Sequence, residues 1–279
     1  MPPSELFAFP AREAATQVFE AGGLTHDGAR AVAEETPVSF LFGGVPYAVM
    51  MASPGDVEDF AFGFALTEGL IAGVEDIRAL DVAARGQGVA VDMRLAPEKM
   101  RGHLARRRAI EGRSSCGLCG VESEAMLPQA RRLAPAAPVE AQAVFAALKN
   151  LSANQPLNAL TRAVHAAAFC DRDGVILIAR EDVGRHNALD KCIGAALRQG
   201  LRAQNGFVVV TSRASFEMVE KTAFFGAPLL AAISAPTSLA IARAEALGLT
   251  LAAVARADSF AVFAGDVARS DLSQHRTAS

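Results

Sequence analysis

The chain has 279 residues and a formal net charge of −3, and 51% of its residues are hydrophobic. This apolar content supports a packed core and excludes a disordered chain, and the charge gives no sign of nucleic-acid binding. No stretch approaches the ~18 consecutive apolar residues of a membrane helix, and the first residues lack the pattern of a signal peptide. We therefore expect a cytoplasmic protein that binds neither nucleic acid nor membrane.

The amino-terminal third predicts an arm followed by an α+β domain. Residues 1–33 show little periodicity and are expected to form a flexible arm. The α+β domain is expected over residues 34–127, ending in a loop with two cysteines. Its first two strands are predicted at 35–42 and 46–51, because both runs are apolar and Gly43-Gly44 supplies a hairpin turn between them.

A helix is predicted after the hairpin. Ser53 is expected to cap it, with Pro54 in its first turn, and Glu68-Gly69 to end it. Apolar residues recur at helical spacing from Val57 to Phe64, which predicts a buried face. Two more strands are predicted at 77–83 and 89–95.

The second half of the chain has the pattern of an α/β domain. Residues 128–157 read as an alanine- and proline-rich linker with a helix at 141–151. Over 158–279, short apolar runs alternate with helical patterns, which predicts a mostly parallel sheet covered by helices. The predicted strands are 175–179, 207–211, 229–233 and 250–254, and the predicted helices are 186–199, 215–225 and 237–247.

Polar segments follow each of these four strands. They are 180–187, 211–215, 234–238 and 256–259, and they contain hydroxyl side chains, Arg213 and Arg256. Ligands of open α/β sheets bind beyond the carboxyl ends of the strands, and helix starts with nearby arginines favour phosphate groups. The pattern therefore indicates a phosphorylated or nucleotide ligand, although capping residues and solvated arginines would give the same sequence.

Of the four cysteines, Cys116 and Cys119 form a CxxC pair beside glycines, downstream of a run of arginines. Nearby positive charge lowers the pKa of a thiol and favours the nucleophilic thiolate, which can accept sulfur from a persulfide. Cys170 and Cys192 lie in apolar patterns that read as helical and are expected to be buried packing residues.

The pair alone leaves other kinds of site open. A structural zinc site needs about four ligands, and only Cys116, Cys119, His165 and His186 could supply them, with unusual spacing. A thioredoxin-like dithiol lacks the strand that leads directly into a helix. A carrier or nucleophilic cysteine is the third reading, and spacing does not separate it from the dithiol.

Several longer motifs together resemble the FdhD family of formate dehydrogenase accessory (sulfur carrier) proteins. The most specific is the run REDVGRHNALDK at 180–191. The others are ETPV at 35–38, MMASP at 50–54, GFALTEG at 63–69, SCGLCG at 115–120, HAAA at 165–168, SRASFEM at 212–218 and SAPTSLA at 234–240.

This resemblance implies a cytoplasmic homodimer whose carboxy-terminal domain has a three-layer, cytidine-deaminase-like α/β fold. It implies sulfurtransferase-like transfer of sulfur from a cysteine desulfurase to the bis-molybdopterin guanine dinucleotide molybdenum cofactor, as formate dehydrogenase requires. Cys116 would carry the persulfide and Cys119 would be auxiliary. The implied cofactor-binding residues, with Ser212 and Arg213 added from the strand-end pattern and Lys221 as a weaker candidate, are Ala252, Ala253, Val254, Ala255, Arg256 and Ala257.

The chain departs from the family pattern at Gly43-Gly44, at 161–164 and at Arg256, where relatives can have lysine. Two alternatives remain: a chaperone that binds the cofactor without transferring sulfur, and a zinc-dependent deaminase-like enzyme. A zinc deaminase needs His-x-Glu before its CxxC, whereas His165 here is followed by alanines and comes after the CxxC. We therefore expect neither deamination nor bound zinc.

Overall fold

The computed structural model describes residues 10–23, 25–102 and 129–269. Within the expected amino-terminal arm, strands β1 (Ala11–Phe19) and β2 (Thr25–Ala33) pair as an antiparallel hairpin. The sequence predicts no element here because most side chains of both strands are exposed, so the alternation of a half-buried strand is weak. Strands β1 and β2 thus give regular structure to a segment that the sequence predicts to be a flexible arm.

Four strands and one helix follow, close to the predicted positions. They are β3 (Thr36–Phe42), β4 (Val45–Ala52), α1 (Val57–Thr67), β5 (Ile77–Arg85) and β6 (Gly88–Leu95). The sheet has the order β4-β3-β6-β5, in which only β3 and β6 are parallel. Helix α1 packs on this sheet through aromatic contacts: the ring of Phe40 lies 5.0 Å from that of Phe60 and 4.3 Å from that of Phe64.

Helix α1 begins later than predicted. Its N-cap is Asp56, which has a left-handed backbone and makes no side-chain cap. The hydroxyl of Ser53 instead accepts a hydrogen bond from the backbone N–H of Val183 at 3.2 Å. The prediction of Ser53 as the helix cap is therefore wrong, because a distant partner in the fold takes the hydroxyl.

Residues 129–139 lack regular secondary structure, as expected of a linker, yet they are fixed to the following domain. Ala130 is buried, and its N–H donates to the carboxylate of Glu220 at 2.7 Å. Helix α2 (Ala141–Leu151) then confirms the helix predicted at 141–151.

The carboxy-terminal part contains a six-stranded sheet. Its elements are α3 (Pro156–Thr161), β7 (His165–Asp171), β8 (Ile176–Asp182), α4 (Arg185–Arg198), β9 (Gly206–Val210), α5 (Phe216–Phe225), β10 (Leu229–Ala232), α6 (Ser238–Leu247), β11 (Thr250–Ala253) and β12 (Ala261–Ala264). The four predicted strands are present as β8, β9, β10 and β11, and the three predicted helices as α4, α5 and α6. Strands β7 and β12 are additional.

The strand order β12-β11-β10-β9-β7-β8 makes this sheet mixed. Only β9, β10 and β11 pair in parallel, because β7 runs antiparallel between β8 and β9 and β12 runs antiparallel beside β11. The prediction of a mostly parallel sheet is therefore wrong in its pairing. The four predicted strands nevertheless all point in one direction, because β8 is antiparallel to β7 and β7 is antiparallel to β9.

Helices cover both faces of the six-stranded sheet and give three layers. One apolar cluster joins α4, α5 and α6 to alternate residues of the strands, such as Phe169 and Val208. A second cluster joins α2 to the residues between them, such as Cys170 and Phe207. The three-layer α/β arrangement is as predicted, and the likeness to cytidine deaminases stays a prediction.

The first apolar cluster continues from the six-stranded sheet into the four-stranded one. It includes Phe40 and Phe60 of the amino-terminal unit as well as Leu189 and Ile193 of α4. Helix α1 packs directly on α4, so the two sheets are joined through a shared core. Among the described residues, no helix is long and apolar enough to cross a membrane.

Candidate functional site

The polar segments predicted to hold a ligand lie on one edge of the six-stranded sheet. Since β8, β9, β10 and β11 point the same way, their carboxyl ends share that edge with the amino end of β7. We call this edge the carboxyl rim. Backbone hydrogen bonds join its segments: the N–H of Thr237 donates to the carbonyl of Ala214 at 3.0 Å, and the N–H of Val254 donates to the carbonyl of Ser234 at 3.1 Å. The rim is therefore a connected surface and not a set of independent loops.

Ser212 and Arg213 follow β9 on this rim, and they differ in accessibility. Ser212 is 4% exposed, and its hydroxyl donates to the backbone carbonyl of Arg213 at 3.0 Å. The Arg213 side chain is exposed. Of the two residues predicted here, Arg213 presents its side chain to solvent, whereas Ser212 stabilises the turn that carries it.

The segment 252–257 brings only part of its length to the surface. Val254, Arg256 and Ala257 are exposed, whereas Ala252, Ala253 and Ala255 are buried in the core. A ligand on the rim would meet the side chains of the first three. The three buried alanines pack in the core and hold the segment in place.

Arg256 lies across the ends of two neighbouring strands. Its Nη1 donates to the carbonyl oxygens of Ile233 at 2.7 Å and Ala255 at 2.8 Å. These bonds hold the exposed guanidinium at the rim, and its other N–H groups can bind an anion. Arginine at this position thus gives the rim a fixed, planar donor group.

Val254 has a strained backbone. Its φ is 54°, in the left-handed region, and its side chain is 43% exposed. A β-branched residue rarely adopts this conformation, which costs about 1–2 kcal/mol for an L-residue. Such strain is concentrated at functional sites. Its position inside the predicted cofactor-binding segment is consistent with a ligand-binding role for that segment.

A buried ion pair holds the start of helix α4 at the rim. Asp182 and Lys191 are both 0% exposed, and Lys191 Nζ lies 2.6 Å from Asp182 Oδ2. The other carboxylate oxygen accepts from the N–H of Gly184 at 2.8 Å and the amide of Asn187 at 3.0 Å. Asp182 Oδ2 also accepts from the Ser53 N–H at 2.9 Å. Because these donors surround one carboxylate, the turn from β8 into α4 is fixed to the end of β4.

Two histidines lie at the rim on neighbouring elements. His165 begins β7, and His186 is the second residue of α4. Burial lowers the pKa of both imidazoles from their usual value, and the charge of Arg185 lowers each further, while Glu217 acts in the opposite direction on His186. His186 Nε2 lies 2.8 Å from a carboxylate oxygen of Glu217. The sequence marked these histidines only as possible zinc ligands.

Lys221, the weaker candidate for ligand binding, makes internal contacts. Its Nζ lies 2.8 Å from the buried carboxylate of Asp190 and 2.9 Å from the hydroxyl of Thr67. It therefore links α5 to α4 and α1, and its charge is balanced by Asp190. The sequence does not reveal this pairing because the partners are 31 and 154 residues away.

The predicted sulfur-carrying residues Cys116 and Cys119 lie outside the described residues. Cys170 and Cys192 are fully buried, as predicted, although Cys170 lies in strand β7 and not in a helix. Burial raises the pKa of the Cys192 thiol to about 12 and raises that of Cys170 as well. Neither is a nucleophile at neutral pH, because the thiolate is the reactive form.

The described ranges contain no group of three or more histidine, cysteine, aspartate or glutamate side chains that could hold a metal ion. The rim instead combines exposed arginines, helix starts and a strained turn. Free N–H groups at helix starts and arginine side chains bind phosphate. A phosphorylated ligand is therefore the chemistry to which this arrangement is best suited.

Comparison with known proteins gives one consistent result. Residues 33–269 match the model of the FdhD/NarQ family. Proteins named sulfur carrier protein FdhD are similar to the chain: one from Xanthomonas axonopodis pv. citri is 51% identical over 221 residues, which is 79% of each chain. One from Agrobacterium fabrum is 49% identical over 246 residues, which is 86% of this chain and 90% of the relative.

The fold has a counterpart among solved structures. The crystal structure of a protein described as a formate dehydrogenase accessory protein from Desulfotalea psychrophila superposes with a TM-score of 0.73. The two share 26% identity, and the match covers 91% of this chain and 97% of the other. With a family match over most of its length and relatives near 50% identity, the chain belongs to the FdhD/NarQ family.

Proposed function

We propose that this protein is a sulfur carrier that delivers sulfur to the bis-molybdopterin guanine dinucleotide form of the molybdenum cofactor, as formate dehydrogenase requires. The observation that carries the proposal is that about half of the aligned residues are identical in proteins named sulfur carrier protein FdhD. The CxxC pair of Cys116 and Cys119 supplies the thiol chemistry that a sulfur carrier needs.

Cys116 is the proposed carrier and Cys119 an auxiliary residue. The thiolate of Cys116 attacks the terminal sulfur of a persulfide on a cysteine desulfurase. The sulfur–sulfur bond of the donor breaks, a new one forms on Cys116, and the cysteine of the desulfurase leaves as a thiolate. No net oxidation occurs in this step. The arginines upstream of Cys116 favour the thiolate that begins it.

The carboxyl rim is the proposed binding surface for the guanine nucleotide part of the cofactor. Three observations support this assignment: the exposed side chain of Arg213, the guanidinium of Arg256 held at the strand ends, and the strained turn at Val254. The cofactor is cargo here and leaves with its sulfur. We propose a cytoplasmic homodimer with a cysteine desulfurase and formate dehydrogenase as partners, and no bound zinc.

A cofactor chaperone that does not transfer sulfur would use the same rim. Mass spectrometry after incubation with a cysteine desulfurase and cysteine separates the two functions. A carrier gains the mass of one sulfur on the peptide that contains Cys116, and Cys116→Ala abolishes this gain. A chaperone stays unmodified under the same conditions, and that result would remove the carrier function.

Binding of guanosine diphosphate tests the rim. Charge-assisted arginine–phosphate contacts contribute roughly 1.5–3 kcal/mol. Arg213→Ala should therefore weaken binding about tenfold or more in a calorimetric titration, at about 1.4 kcal/mol per decade. Equal affinities in two folded proteins would mean that Arg213 only caps or solvates its helix. Absence of binding to the wild type would remove the nucleotide site.

A further inference from the structure

Arg185, the first residue of α4, has a polar atom without a partner. Its side chain is partly buried, and its Nε is shielded from solvent without a hydrogen bond to any described residue. The hydroxyl of Ser215, at the start of α5, is shielded and unpaired in the same sense. Buried donors are rarely left unsatisfied in folded proteins, and an exception often marks the place of an ion or ligand.

The charges at the start of α4 point to an anion. Arg185 and His186 occupy its first two positions, and its first turn contains no acidic residue. Its N-cap is Gly184, which has no side chain to cap the free N–H groups. The amino end of a helix carries a partial positive charge, so the guanidinium of Arg185 is unfavourable there unless an anion joins it.

The neighbouring elements leave this positive charge incompletely balanced. His186 senses the charges of Arg185 on its own helix, Glu217 and Lys221 on α5, and His165 on β7. Lys221 is paired with the buried Asp190, and among the described residues Glu217 is the one carboxylate that acts directly on His186. Glu217 is 62% exposed and lies 2.8 Å from His186 Nε2, outside hydrogen-bond geometry. Such a contact is weak, and an incoming anion can displace it.

We propose that Arg185, His186 and Ser215 form a second anion subsite on the carboxyl rim, which binds a phosphoryl group. The inference rests on the proposed function in one respect, because the phosphoryl group is assigned to the nucleotide part of the cofactor. The guanidinium of Arg185 and the hydroxyl of Ser215 donate to the phosphoryl oxygens. The exposed Glu217 side chain moves away as the anion takes its place beside His186.

Arg185 and His186 lie apart from Arg213 and the segment 252–257 along the rim, whereas Ser215 lies two residues after Arg213, at the start of α5. The start of α4 follows β8, which is separated from β9 by β7, while Arg213 and Ser215 both follow β9. The two subsites thus occupy neighbouring stretches of one edge. A cofactor that carries more than one phosphoryl group can occupy both at once.

Inorganic pyrophosphate is the probe for the subsite, titrated calorimetrically into the full-length protein. Wild type should bind it, and Arg185→Met should weaken binding about tenfold or more, because a charge-assisted donor is lost. Arg78→Met is the matched control, since Arg78 is an exposed arginine of β5 on the other sheet, and it should bind like wild type. Glu217→Gln should tighten binding, because it removes the carboxylate that competes with the anion.

Selective labelling of histidine gives a second readout that does not depend on the folding of any variant. Pyrophosphate should shift the imidazole resonances of His186 and His165 in the wild-type protein. The exposed His26 of β2 is the internal control and should not shift. Equal shifts at all three would indicate general ionic effects and would overturn the subsite.

The remaining outcomes separate this inference from the proposed function. Weaker binding of guanosine diphosphate by Arg185→Met assigns the phosphoryl group to the nucleotide, whereas an effect on pyrophosphate alone assigns it to free phosphate. Pyrophosphate affinity that is unchanged in folded Arg185→Met, or undetectable in wild type, overturns the subsite. Formation of the Cys116 persulfide is measured without this ligand, so the sulfur-carrier function stands or fails separately.

Discussion

Gly63 of α1 and Gly194 of α4 lie at the point where the two helices cross. A Cβ built on Gly194 would lie 2.7 Å from the backbone nitrogen of Gly63 and 1.8 Å from the carbonyl oxygen of Asp59. One built on Gly63 would lie 1.8 Å from the carbonyl oxygen of Asp190. The two backbones are therefore in direct contact, and this contact joins the two sheets. Ser53 likewise bonds to Asp182 and Val183 in the turn that leads from β8 into α4.

Gly194→Ala should destabilise the protein strongly. The added methyl group meets backbone atoms that cannot move aside, and overpacking of this kind costs about 1–3 kcal/mol or more. Urea denaturation measures the change. Gly22→Ala is the control, because nothing lies within 4 Å of its added Cβ. Similar stabilities of the two variants would contradict the close helix crossing.

Lys191→Met should destabilise the protein by about 3–5 kcal/mol, because it leaves the buried charge of Asp182 without its partner. The double variant Asp182→Asn with Lys191→Met should lose less, since the asparagine is neutral and still accepts a hydrogen bond. Thermal unfolding of the wild type, the single variant and the double variant measures this difference. A double variant less stable than Lys191→Met would contradict the buried ion pair.

The elements of this fold that can be predicted are those whose own residues show a helical or strand pattern. Helix α4 has a strong helical pattern, and the run that forms β9 is apolar and β-branched, so both are predicted within two residues. Strand β7 has no such signal, because its centre is alanine-rich and its stability comes from burial between β8 and β9. Its insertion is also what makes the sheet mixed.

The candidate site also has parts that the sequence predicts and parts that it does not. The carboxyl rim follows from strand order and from the polar residues after each strand, and Arg213 is exposed on it. The unpaired Nε of Arg185 and the contact between His186 and Glu217 depend on how α4 and α5 lie side by side, which no spacing in the sequence encodes. Arginine and histidine at the first two positions of a helix were the available signal.

Val254→Gly should leave the protein equally stable or more stable. Glycine removes about 1–2 kcal/mol of left-handed strain from the folded state. Its flexibility in the unfolded chain lowers the free energy of unfolding by about 0.5–1 kcal/mol. Val262→Gly is the matched control, because Val262 has similar exposure, 39% against 43%, and lies in strand β12 without a left-handed backbone. Urea denaturation should show a loss of stability in the control alone. A comparable loss in Val254→Gly would contradict a strained turn.

Thiol reagents should distinguish the four cysteines. Cys170 and Cys192 are fully buried and their pKa values are raised, so alkylation of the native protein at pH 8 should be confined to Cys116 and Cys119. All four should react after unfolding in urea. Peptide mass spectrometry of both samples measures this. Rapid labelling of Cys170 or Cys192 in the native protein would contradict their assignment as packing residues.

Activation of formate dehydrogenase is the measurement that tests the sulfur-carrier function most directly. The assay uses cells that lack their own copy of the carrier and express wild type, Cys116→Ala or Cys119→Ala at equal levels. We expect wild type to restore formate dehydrogenase activity, Cys119→Ala to restore part of it, and Cys116→Ala to restore none, because the persulfide has no other carrier. Full activity with Cys116→Ala would contradict the proposed function.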